Sequence, residues 1–149
     1  MNANGSALER LSDGECLRLI ASVPVGRIVY TLRALPAVEP VNFAVHDGDI
    51  VFRTEPGGKV AAAVRQAVVA FEVDELDSAS HNGWSVTIVG TAREVTDPAD
   101  VARLRLIGLA PWTPGELEYF VRITPGIITG RWLRHAGHIG DQAVGDQAV

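Results

Sequence analysis

Between Asp49 and Val64 the chain reads DIVFRTEPGGKVAAAV. Arg53, the Thr54 hydroxyl and Lys59 bring charge and hydrogen-bond donors suited to a phosphate. Gly57 and Gly58 stand between them, and glycines let a backbone turn through positive φ and approach a ligand closely. A helix beginning at this turn offers unpaired N–H groups and the positive end of its dipole. The GxxxxGK[ST] spacing of a Walker A loop is absent. The same residues also make an ordinary strand–turn–helix connection with solvated charges, and this stretch alone does not separate the two readings.

The elements that must position this turn are mostly strands. Residues 1–10 are polar and read as a loose N-terminus. Ser12-Asp13-Gly14-Glu15 has the form of a capping box, opening a short helix with Cys16, Leu17, Leu19 and Ile20 that stops before Pro24. The β-branched run Gly26–Leu32 reads as a strand, as does Pro36–Val45, with Pro40 marking an edge or a bulge. Asp47-Gly48 signals a hairpin into Asp49–Thr54. In Gln66–Leu76, Val69, Phe71 and Val73 alternate with Ala70, Glu72 and Asp74, the pattern of a half-buried strand. Asp77–Gly83 is a loop. Trp84–Val95 is a long strand with Gly90 as a bulge or close approach. Thr96-Asp97-Pro98 starts a helix, and APWTPGE at 110–116 is a loop. Tyr119–Ile123 and Ile127–Leu133 form a last strand pair, or one strand broken at Pro125-Gly126. Residues 136–149 are a polar tail that repeats GDQAV. Sequential antiparallel strands at this length imply a mainly β (α+β) barrel with helices outside.

Composition limits the partners. The 149 residues fit one domain, and a net charge of −5 argues against a general nucleic-acid binder. The single Cys16 excludes an internal disulfide and fits a reducing compartment. No apolar leader and no run of about 20 apolar residues is present, so a cytoplasmic protein outside the membrane is expected. The acidic Glu72, Asp74, Glu75 and Asp77 read as a solvated face. His135 and His138 lack a third ligand, so no metal site is expected.

In order along the chain, GRIVY, PVNF, DIVFRTEPGGK, VAFEVDELD, GWSVTIVGTA and VRITPGIITGR resemble the pyridoxamine 5′-phosphate oxidase-like flavoproteins. The resemblance runs from about Leu11 to Leu133. It implies a six-stranded antiparallel split β-barrel with short flanking helices. It also implies a homodimer with FMN at the subunit interface. The phosphate would be held by Arg53, Thr54 and Lys59, with Gly58 allowing the approach. Arg27 and the segment Pro40-Val41-Asn42 would flank the ring and ribityl chain. Trp84 and Ser85 would open the strand that faces the flavin, and Trp132 would come from the C-terminal strand of the partner. From the residues alone, Asn42 equally satisfies a bulge, and Trp84 more often fills a core or interface than stacks on a cofactor.

Two departures bear on activity. The oxidases that make pyridoxal phosphate end in an RLHDR-like signature, whereas this chain has GRWLRH. Gly58-Lys59 replaces two consecutive basic residues of the oxidases. The resemblance therefore implies an FMN-dependent oxidoreductase acting on a small molecule other than pyridoxamine phosphate. The alternatives are an F420-dependent reductase and a non-catalytic flavin- or haem-binding protein. Apolar residues on both faces of the strands give the dimer a physical reason, with Val68 and Ala70 opposite Val69 and Phe71.

Overall fold

The period-two patterns become strands, and all but one of them close on themselves. In the computed structural model, which describes residues 6–109 and 119–135, the strands are β1 (Ser6–Arg10), β2 (Val25–Leu32), β3 (Leu35–His46), β4 (Asp49–Thr54), β5 (Ala67–Asp77), β6 (Asn82–Glu94) and β7 (Tyr119–His135). Three short helices, α1 (Asp13–Ile20), α2 (Lys59–Ala63) and α3 (Pro98–Arg105), lie between them. All pairings are antiparallel in the order β1-β7-β4-β3-β2-β5-β6, and β6 returns to pair with β7. Strands β2 to β7 thus form the expected six-stranded barrel. Among the described residues no helix is long and apolar enough to cross a membrane.

Two boundaries differ from the sequence reading. Residues 6–10, read as loose, form β1 against residues 131–135 of β7. SALER lacks apolar alternation, so only the backbone pairing that β7 offers makes it a strand. The C-terminal strand is one element of 17 residues, not a pair. Pro125-Gly126 does not break it, because a register shift between Val89 and Gly90 absorbs the irregularity. A Cβ on Gly90 would run into the Thr124 carbonyl oxygen, so glycine is required at this close approach. Pro40 lies in the half of β3 that has only β2 beside it, the edge position a proline tolerates. The 110–116 loop and the GDQAV tail fall outside the described residues.

The barrel interior is filled by alternate residues. Ile28, Phe52, Phe71, Ile88 and Ile123 are wholly buried. Phe43 meets Phe71 edge-on at 5.0 Å, and Phe52 stacks on it at 6.3 Å. The capping box forms: the Glu15 N–H donates to Ser12 Oγ at 3.2 Å, and the Ser12 N–H to Glu15 Oε1 at 3.2 Å. It aims Cys16 and Ile20 into the core, and Cys16 Sγ occupies the space that a Cβ on Gly130 would need.

The outer surface divides in two. Over β4 and β7, Val51, Val95, Leu104, Leu109 and Phe120 make a second cluster beneath α3. Over β3, β2, β5, β6 and β7, register lines up Val38, Val29, Ala70, Val89 and Ile127 in one outward row across five strands. Val38 is 58% exposed and Ile127 63%, so nothing in the chain's described part covers the row's ends.

Two of the hairpin turns take two successive residues through the left-handed region. Asp47 and Gly48 do so at φ 52° and 79°, as their types predict. Arg33 and Ala34 do so at 53° and 65° without a glycine, against the steric preference of L-residues. Replacing Ala34 with Gly should stabilise the protein by about 0.5–1 kcal/mol, because relief of the turn exceeds the added freedom of the unfolded chain. A lower thermal midpoint for the variant would contradict this.

Candidate functional site

Strand β4 ends at Thr54, and Glu55-Pro56-Gly57-Gly58 turns the chain into α2. The Gly58 N–H donates to the Glu55 carbonyl at 3.1 Å, and Gly57 sits at φ 81°. Buried Val60 and Val64 anchor α2 to the barrel core, which leaves Lys59 exposed beside the glycines. Helix α2 has five residues, so its dipole is small, and an anion here would rest chiefly on Lys59 and the first free N–H groups.

Arg53 and Thr54 are consecutive in β4, so their side chains leave on opposite faces. Thr54 continues the inner series of Ile50 and Phe52. Arg53 faces outward, where its Nη1 donates to the Leu109 carbonyl at 3.3 Å and its guanidinium lies 5.2 Å from the Phe120 ring centre. Asn42, on the neighbouring β3, shares that outer face. The turn thus groups Thr54, Gly58 and Lys59, with Arg53 and Asn42 around the edge of β4.

The remaining expected residues lie elsewhere. Val41 is buried inside the barrel, where only its backbone can meet a ligand. Trp84 is 5% exposed and pairs across β6 and β7 with Trp132, which carries Arg134 5.2 Å from its ring centre. Thr54 pairs with Tyr119 at one end of β7 and Trp84 with Trp132 near the other. Arg27 faces outward on β2, where its Nη1 lies 3.1 Å from Glu72 and 3.6 Å from Asp74 on β5. Ser85 extends that face, opposite Asp74 on one side and Arg131 on the other. The carboxylates read as a solvated face are therefore only partly so. Burial, reinforced by Asp74, pushes the Glu72 carboxyl up to about 7 against the pull of Arg27.

A cleft of about 980 Å³ opens beside the turn, lined by Gly57, Arg65, Arg93, Asp97, Tyr119 and Arg122 among others. Apart from the turn glycine, sequence reasoning missed these residues. The Tyr119 hydroxyl donates to the Ala61 carbonyl at 3.4 Å and ties β7 to α2. Burial, then the Glu94 charge, raises its pKa. Arg122 is 8% exposed and pairs with Asp49 at 3.1 Å. Its signal in the sequence was a lone charge between Val121 and Ile123, with a carboxylate opening the strand that β7 pairs. Replacing Asp49 with Asn should cost about 3 kcal/mol, because it leaves an almost buried guanidinium without its counter-charge. Denaturant unfolding of the variant measures this, and a loss within error of zero would show that the pair is idle.

The chain is similar to known proteins over most of its length. Residues 12–132 match the family model described as pyridoxamine 5′-phosphate oxidase. The uncharacterized protein Rv0080 of Mycobacterium tuberculosis is 46% identical over 125 residues, covering 80% of this chain and 82% of that protein. The FAD binding protein from Mycobacterium smegmatis superposes with a TM-score of 0.75 at 40% identity, covering 85% of this chain and 98% of that one. An FAD-binding protein from Mesorhizobium loti superposes with a TM-score of 0.71 at 25% identity, covering 84% and 97%. Both of these superposed structures are FAD-binding proteins of the same architecture, and the chain belongs to the pyridoxamine 5′-phosphate oxidase family of split barrels.

Proposed function

We propose that the protein is a flavin-dependent oxidoreductase acting on a small molecule, with the flavin phosphate held at the turn from Thr54 to Lys59. The observation that carries this is the turn itself: two glycines leading to an exposed lysine that opens a short helix fixed to the barrel by Val60 and Val64. A bound flavin would supply the electron transfer, and the chain would supply binding, orientation and exclusion of water. Lys59 would neutralise the phosphate, Thr54 would donate to it, and Gly58 would let the backbone come close. Arg53, already held against Phe120 and Leu109, would add positive potential from the outer face. FMN is the form expected from the sequence. FAD is a second reading, favoured by the cleft that opens at Gly57 with Arg65 and Arg93 on its walls, which offers room for an adenylate. Mass spectrometry of the flavin released on denaturation separates the two. Replacing Lys59 with Ala should weaken flavin binding by about 1.5–3 kcal/mol, the usual loss of a hydrogen bond to a charged group. An unchanged dissociation constant in a fluorescence titration would sink the phosphate assignment.

The same reading includes a homodimer that completes the site. The Lys59 turn and the Trp84–Trp132 pair belong to opposite ends of β7, so a second copy is the simplest way to bring both kinds of residue to one flavin. The outward row from Val38 to Ile127 is apolar across neighbouring strands of the barrel and exposed at its ends, and a two-fold contact would cover its exposed part. Such an interface would remove on the order of 2,000 Å². Replacing Ile127 with Asp should give a folded monomer in sedimentation velocity at low micromolar concentration, where the parent is a dimer. A parent that sediments as a monomer with and without flavin would defeat the shared-site model.

A further inference from the structure

Beside the apolar row runs a second, charged one. Register sets Pro40, Arg27, Glu72, Thr87 and Thr129 next to one another across the same five strands, each two residues along its strand from the row above. Asp74 follows Glu72 on the outer face of β5. Two carboxylates therefore meet one guanidinium, at 3.1 and 3.6 Å. The Glu72 and Asp74 side chains are each 28% exposed and Arg27 is 51% exposed, so the group still touches water in the single chain.

The charges do not balance. Arg27 is the cation on β2 and Asp74 the second acid on β5. On β6 the facing residues are Ser85 and Thr87, which do not titrate. On β7, Arg131 shares this outer face but stands across from Ser85, with β6 between it and Asp74, and the charges that act on Glu72 are those of Asp74 and Arg27. The Glu72–Asp74–Arg27 group thus carries one excess negative charge per chain. Bringing a second copy against this face would place two such groups in one dry contact, where an uncompensated charge is costly. Protonation of one carboxylate removes the excess and leaves a hydrogen bond between the two acids, the usual outcome when like charges are held together.

Resting on the dimer reading above, we propose that assembly through this face is proton-linked: closing the dimer takes up one solvent proton per chain into the Glu72–Asp74 pair, so the dimer is tight in neutral and acidic solution and loosens in alkaline solution. The proton goes to a carboxylate oxygen of Glu72 and is shared with Asp74, while Arg27 stays paired with the remaining charge. In the free chain burial already raises Glu72 to about 7, and further burial in the dimer raises it again. Above that value the free chain has lost the proton that the dimer retains. The dissociation constant therefore rises with pH from about 7 until the dimer itself titrates, and it is flat below.

Sedimentation equilibrium of the full chain, without added flavin and at fixed ionic strength from about pH 6 to about pH 9, tests this. The expected rise is about tenfold per pH unit for each proton taken up, and a hundredfold at most for two. Glu72→Gln, a neutral isostere, should keep the dimer and flatten the profile. Asp74→Asn should reduce the slope in the same way and guards against a folding defect in the first variant. A dimer whose dissociation constant ignores pH, or an unaltered slope in both variants, overturns the linkage and leaves the dimer standing. A monomer at every pH overturns both.

Discussion

The fold depends on one strand meeting three others. Residues 119–123 of β7 pair with β4, residues 121–133 with β6, and residues 131–135 with β1. Without β7 the sheet would be an open ribbon with two bare edges. Closure demands that β7 curve, and the register shift at Val89/Gly90 supplies the bend. The cost is local crowding, which is why glycines stand at Gly90 against Thr124 and at Gly130 against Cys16. Closure also sets Phe120 and Arg122 on the outer face while Val121 and Ile123 fill the barrel. A single strand thereby serves both the core and the cluster under α3.

That outer cluster gives the barrel two unlike sides. On one, α3 and Leu109 cover Val51 and hold Arg53 against Phe120. On the other, aliphatic residues and the Arg27–Glu72–Asp74 group face outward uncovered by the described chain. The Glu55–Lys59 turn stands at the end of β4, its backbone anchored by Val60 and Val64 and its lysine exposed. An anchored backbone with an exposed cation suits recognition of a small anion, because little main-chain order has to be created on binding.

The barrel was legible because its signals are local. Alternation in VAFEV, the Asp47-Gly48 turn and the Ser12–Glu15 capping box each name an element without reference to the rest. What was hidden depends on partners distant in sequence. Residues 6–10 are a strand only because β7 offers an edge, and the Arg33-Ala34 turn carries no residue that advertises positive φ. The site was legible in part. Gly58 and Lys59 emerge together as expected, but neighbouring positions in β4 send Arg53 and Thr54 to opposite faces, a consequence of strand geometry that a motif written as a string conceals. Arg27 and Glu72 are 45 residues apart and find each other only through the register of β2 and β5.

Cys16 gives the structure a clock. Its thiol is wholly buried against the backbone of Gly130, and burial raises its pKa, with Asp13 and Glu15 adding to the effect. Neither factor favours the thiolate, so reaction with a soluble alkylating reagent must wait until α1 lifts away from β7. The labelling rate of this one sulfur therefore reports how often the helix undocks, a local opening set apart from global unfolding. The barrel thus carries a native probe of its own breathing at the strand on which its closure depends.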